Sequence, residues 1–110
     1  MAGNGWRIVW VIAVYDCPMT SSEARRNSSL FRKRLLRENF YQLQNSLYVR
    51  HHPTMALAES TVHRLKHFIP ERAKVAFFLV TDKQYAMTME FLVPKSTKLK
   101  PDKPEQVSLF

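Results

Sequence analysis

Glycine is nearly missing from this 110-residue chain, and the only two, Gly3 and Gly5, precede the first apolar run. Phosphate-cradling loops and dinucleotide fingerprints need glycines between a strand and a helix, so nucleotide cofactors held in that way are excluded. Cysteine is as scarce. The single Cys17 can close no internal disulfide and supply no multi-thiolate zinc site, which fits a reducing compartment. No segment reaches the roughly 20 apolar residues of a membrane span, and the start lacks the basic-then-apolar layout of a signal peptide. The expectation is a cytoplasmic protein with no membrane partner. Acids are the remaining shortage: 9 Asp and Glu stand against 17 Lys and Arg, a formal charge of +8. That balance attracts polyanions, above all nucleic acid.

What is present reads as one domain with a single modest core, which dimerisation would enlarge. Residues 1–6 form a short leader. Residues 7–15 are a near-continuous β-branched and aromatic run, a central strand covered on both faces, and it stops on a carboxylate, Asp16. That acid is mounted at the rim of a sheet, where it either caps the turn with Cys17 and Pro18 or does chemistry. Thr20, Ser21 and Ser22 offer an N-cap, with Glu23 at the positive end of a helix reaching about residue 38. At about 100° per residue, Ala24, Ser28, Phe31 and Leu35 share one face. Arg25, Arg26, Arg32, Lys33 and Arg37 spread over the other, and Asn39 can end the helix in a left-handed conformation.

Over residues 40–50 the period changes to two. Tyr41, Leu43, Leu47 and Val49 alternate with Gln42, Gln44, Ser46, Tyr48 and Arg50, which predicts one strand with the first set buried. A second helix over residues 54–68 places Met55, Ala58, Val62, Leu65 and Phe68 on its packed side before Pro70. Residues 74–81 predict a second central strand, residues 82–85 a short connection, and residues 87–93 a last strand. Strand, helix, strand, helix, strand, strand suits an α+β, ferredoxin-like sandwich of βαββαβ type, an antiparallel sheet with two helices on one face and a C-terminal extension. The domain is expected over residues 7–93. A linker rich in lysine and proline follows over 94–104, then an apolar tail over 105–110.

Two constellations carry chemistry. The basic face of the first helix has only Glu23 and Glu38 to balance six cations, counting Arg34. Like charges left unpaired repel unless a polyanion is bound, so phosphate-backbone contact by Arg25, Arg26, Arg32, Lys33 and Arg37 is expected, without base readout. Asp16 is the second. Phosphodiester cleavage uses a divalent cation; one carboxylate is too little for a two-metal site, but a two-fold axis near the end of the first strand would bring two copies of Asp16 together around one metal. The histidines give a weak metal signal: His63 and His67 lie one turn apart, but no thiol is near in sequence. Cys17 beside a carboxylate is a poor nucleophile.

Four segments in order then carry a resemblance over residues 7–93. They are Val14-Tyr15-Asp16, Phe31-Arg32-Lys33, Gln44-Asn45-Ser46-Leu47-Tyr48 within residues 40–49, and Val80-Thr81-Asp82-Lys83-Gln84-Tyr85. Together they resemble the second of the two universal CRISPR-associated (Cas) proteins, in the flavour of type II systems. The resemblance implies a ferredoxin-like homodimer that bridges two dimers of the CRISPR integrase and holds double-stranded DNA for spacer acquisition. It also implies a magnesium-dependent endonuclease acting on RNA or duplex DNA, with Asp16 as catalytic residue and as ligand to Mg2+ or another divalent cation. Two rival readings stay open: a stand-alone ribonuclease toxin of the virulence-associated type, sharing fold and strand-end aspartate, and a non-catalytic RNA-binding module. In the tail, Gln106, Val107, Leu109 and Phe110 resemble the short peptide by which bacterial proteins dock into the DNA sliding clamp. The same segment can instead add as a strand to the sheet edge or to the integrase.

Overall fold

A computed structural model describes residues 8–94. The leader, residues 95–104 of the linker and the tail lie outside the described residues. Strand β1 (Val9–Asp16), helix α1 (Ser22–Arg37), strands β2 (Tyr41–Gln44) and β3 (Leu47–His52), helix α2 (Met55–Leu65), a 3-10 turn (Lys66–Phe68), strand β4 (Lys74–Thr81) and a one-turn helix α3 (Asp82–Tyr85) follow in order. The sheet is antiparallel with order β2-β3-β1-β4. The α+β ferredoxin-like expectation holds.

The core lies between one sheet face and the two long helices. Val9, Val11, Ala13 and Tyr15 project from β1 onto Phe31 and Leu35 of α1 and onto Ala58 and Leu65 of α2. Alternation along β1 sends Trp10, Ile12, Val14 and Asp16 to the opposite face. Ser21 caps α1 by accepting from the Ala24 amide at 3.0 Å, and Asn39 ends it with φ 69°. Asparagine tolerates that left-handed geometry better than most residues, which is how the chain turns sharply without glycine.

Several expectations are corrected. The single strand over 40–50 is a hairpin broken at Asn45 and Ser46, with a register irregularity between Gln42 and Gln44. Its faces are also exchanged. Tyr48 pairs with Ala13 and Arg50 with Val11, so these two point towards the helices, while Tyr41, Leu47 and Val49 occupy the other face, where Val49 is still fully buried, as expected. Tyr48 is large enough to fill the gap under α1 and is fully buried; aromatic volume outweighed its polar tip. In α2 the packed side is Ala58, Thr61, Val62 and Leu65, whereas Met55 and Phe68 are exposed. Thr54 is the cap of that helix, and its last turn tightens to 3-10.

Strand β4 has the expected bounds but lies at the rim of the sheet, paired only with β1 among the described residues. Residues 82–85 are helical, closed by a reciprocal capping box between Thr81 and Gln84. Residues 87–93 form no strand. Met87, Met89, Phe91 and Leu92 are exposed there.

Candidate nucleic-acid interface and strand-end carboxylate

The α1 helix is built to display cations. Its buried residues, Phe31 and Leu35, fall on one stripe, and the rest of its circumference carries Arg25, Arg26, Arg32, Lys33 and Arg37, all exposed, beside exposed Leu30 and Leu36. At 1.5 Å per residue Arg26 and Arg37 stand about 16 Å apart along the axis, with Lys33 between them on the same stripe. Arg25 donates to the Met19 carbonyl at 3.3 Å. None of the five has an ion-pair partner among the described residues. This row can follow a phosphate backbone.

The acid expected to balance that face does something else. Glu38 accepts from Arg34 at 3.1 Å, meets Arg64 of α2 at 2.8 Å and lies 3.7 Å from Arg50 of β3. Hydrogen bonding from Arg64 outweighs burial and holds its carboxyl below the ordinary 4.5; the same pairing raises Arg64. A duplex lying across Arg64 of α2 and Lys66 of the 3-10 turn would therefore meet one of the two cations already engaged.

Asp16 is the last residue of β1, exposed and in register with Lys74, the first residue of β4. It belongs to the strand and, among the described residues, caps no turn. Beside it a shallow depression of about 320 Å3 is lined by Val14, Tyr15, Asp16, Lys74, Val75 and Ala76. Strand alternation puts Asp16 on the sheet face away from α1, so one chain does not bring the carboxylate and the cationic row together. No group of three His, Cys, Asp or Glu side chains that could hold a metal exists among the described residues. Lys74 is the register neighbour of Asp16, so the strand pair brings no second carboxylate beside it.

Away from Lys74 and His51, the face that carries Asp16 is mostly apolar, with Ile12, Val14, Val49, Phe78 and Val80 in neighbouring register positions, Val49 among them fully buried. Phe78 is 53% exposed. At the far end Trp10 stacks on Tyr85 at 3.9 Å and meets His51 edge-on at 5.1 Å. Burial, helped by a hydrogen bond with Tyr41, pushes the Tyr85 phenol up to about 12. This aromatic cluster was missed in the sequence, although the Thr81-x-x-Gln84 spacing of a capping box signalled the helical turn that delivers Tyr85. Burial also raises the phenol of Tyr15, on the helix side. No helix among the described residues is long and apolar enough to cross a membrane.

The model of the family described as CRISPR associated protein Cas2 matches residues 9–88. The CRISPR-associated endoribonuclease Cas2 of Flavobacterium psychrophilum is 34% identical over 108 residues, covering 97% of this chain and 92% of its own length. The protein of the same description from Parvibaculum lavamentivorans is 34% identical over 102 residues, covering 93% and 100%. Among solved structures, Streptococcus pyogenes Cas2 superposes with a TM-score of 0.57 at 20% identity over 74% of this chain and 98% of that one. That likeness speaks for the fold. The β1 carboxylate, the basic helix and the short helical turn after β4 all fall inside the matched segment, and the chain belongs to the CRISPR associated protein Cas2 family.

Proposed function

We propose that this chain works as a homodimer that holds duplex DNA and bridges the CRISPR integrase during spacer acquisition, with metal-dependent phosphodiester cleavage at a shared pair of Asp16 residues. Family membership sets aside the toxin and the RNA-binding module. The observation that carries the reading is that Asp16 shares a face with half-buried Ile12 and Val14 and with Phe78, whose ring is more than half exposed. Apolar surface of this extent on one side of a sheet favours association. If two such faces meet, two Asp16 carboxylates enter one interface while both α1 rows stay outside, free for phosphates.

Mg2+ or another divalent cation is what two carboxylates would share there, since the described residues of one chain gather no three metal-ligating side chains. The chain's own contributions are distinct. Asp16 supplies negative charge at a rigid strand end, and Arg25, Arg26, Arg32, Lys33 and Arg37 supply counter-charges for the backbone. The relatives from Flavobacterium and Parvibaculum are described as endoribonucleases, so RNA is the second substrate to test. Residues 105–110 are proposed as a partner contact, to the integrase by strand addition or to the sliding clamp through Gln106, Val107, Leu109 and Phe110.

The test is Asp16→Asn. Cleavage of duplex DNA and of single-stranded RNA in Mg2+ is expected to vanish, with DNA affinity and integrase co-assembly retained. Cleavage persisting in a clean preparation of the variant would remove Asp16 from the chemistry.

A further inference from the structure

The helices α1 and α2 end against each other, and one carboxylate occupies the junction. Glu38 is 10% exposed in its side chain. The Arg64 Nε and Nη2 donate to its two oxygens at 3.2 and 2.8 Å, a forked pairing of the kind guanidinium groups also make with phosphate. Arg34 donates to it at 3.1 Å and lies 3.9 Å above the ring of Phe68. Arg50 is anchored separately, donating to the Glu38 main-chain carbonyl at 2.8 Å. Three guanidinium groups thus surround one acid, and the negative ends of two helix dipoles supply part of the remaining balance. Arg64 is 48% exposed despite its pairing, and Lys66 and His67 follow it on the surface.

We propose that Glu38 selects which part of the cationic surface engages nucleic acid. Its carboxylate stands where phosphate oxygens would otherwise be bound by Arg34 and Arg64, and so closes the junction of the two helix ends to a DNA backbone. The row on α1, without ion pairs among the described residues, is then the track that remains. Arg37 is adjacent in the last turn of α1 yet unpaired among the described residues, which marks the border between the closed and the open surface. The inference rests on the reading of α1 as a DNA-binding face.

Glu38→Gln keeps the shape and one acceptor oxygen but removes the charge. Arg34 and Arg64 become available, while Arg50 keeps its carbonyl. Binding of a short mixed-sequence DNA duplex to the full chain is expected to tighten, and its log-log salt slope to steepen by about 1 to 2, one phosphate contact contributing about 0.9. Adding Arg64→Gln to Glu38→Gln should cancel most of that gain. In the otherwise unchanged chain, Arg64→Gln should leave the slope where it was, whereas Arg37→Gln should make it shallower by about 1. Glu23→Gln, with the same change of net charge, controls for the long-range field and should not steepen the slope.

An Arg64→Gln slope as shallow as that of Arg37→Gln would overturn the proposal, as would a Glu38→Gln slope no steeper than that of Glu23→Gln. Because Arg64→Gln alters an exposed side chain, its result decides even if Glu38→Gln fails to fold. Failure of the underlying reading looks different. In that case charge reversal along α1 leaves affinity unchanged, whatever Glu38 does.

Discussion

The indole Nε1 of Trp10 donates to the Asp82 carboxylate at 2.7 Å, joining the start of the first strand to the turn that follows the last one. The same indole is stacked on Tyr85, so a strand residue fixes a helical turn by an edge and a face at once. Trp10→Phe keeps a stacking ring and loses the donor, which should cost about 1 kcal/mol. Trp10→Ala should cost roughly 3 kcal/mol, because the ring surface is lost as well. Urea unfolding of the two variants checks the order. Equal losses would mean that the stack contributes nothing.

Stability should fall as pH falls from about 6.5 towards about 4. His52 is buried, its Nε2 lies 2.8 Å from the Thr61 hydroxyl, and burial together with Arg50 and His51 pushes its pKa down to about 4. The unfolded chain takes up that proton near 6.5 and the folded chain resists it, so acid favours unfolding by about 1.4 kcal/mol per pH unit within this window. Glu38, held below 4.5, adds its own loss further down. Urea midpoints between pH 4.5 and 7.5 measure the slope, and His52→Gln should flatten it.

Reversing Arg25, Arg26, Arg32 and Lys33 to Glu should abolish DNA binding at moderate salt and leave little salt dependence behind. Each cation matched to a phosphate contributes about 0.9 to the log-log slope. All four are exposed and outside the core, so the thermal midpoint should move little. Unchanged binding would place the duplex on another surface.

Phe78→Asp should convert a dimer into a monomer by light scattering at micromolar concentration. The ring is more than half exposed in the single chain and faces the same way as Asp16; a charge there is costly only if a second copy covers it. A variant that stays dimeric would move the interface off this sheet face.

Removing residues 105–110 should leave folding and DNA binding unaltered while weakening a partner complex. Isothermal titration of a peptide of residues 101–110 against integrase and, separately, against sliding clamp identifies the partner. Heat from neither would deny the tail a docking role.

Much of this was legible because apolar spacing is a local signal. The β1 run, the α1 face of Phe31 and Leu35, the bounds of β4, the left-handed Asn39 and the position of Asp16 at a strand end all follow from neighbours in sequence. The hairpin was misread because Leu43 and Leu47 keep the same parity through Asn45 and Ser46, so a single alternation spans the turn. The inward face of Tyr48, Arg50 and His52 is decided by partners that alternation cannot see, namely Ala13, Glu38 and Thr61. Glu38 itself looked like a local counter-charge for α1. Its strongest partner stands 26 positions away, and only the packing of α2 brings Arg64 to it.

The position of β4 at the rim has a consequence for how the molecule is made. Its ladder joins Val9 to Thr81 and Asp16 to Lys74, so β1 acquires the hairpin as neighbour early in synthesis but must wait for almost the whole domain before its other side is filled. Closing such a distant pair carries a large loop entropy and slows the final step. On the ribosome, a nascent chain arrested before residue 74 would hold β1 with one bare edge, and would be the species most exposed to wrong pairing with another growing chain.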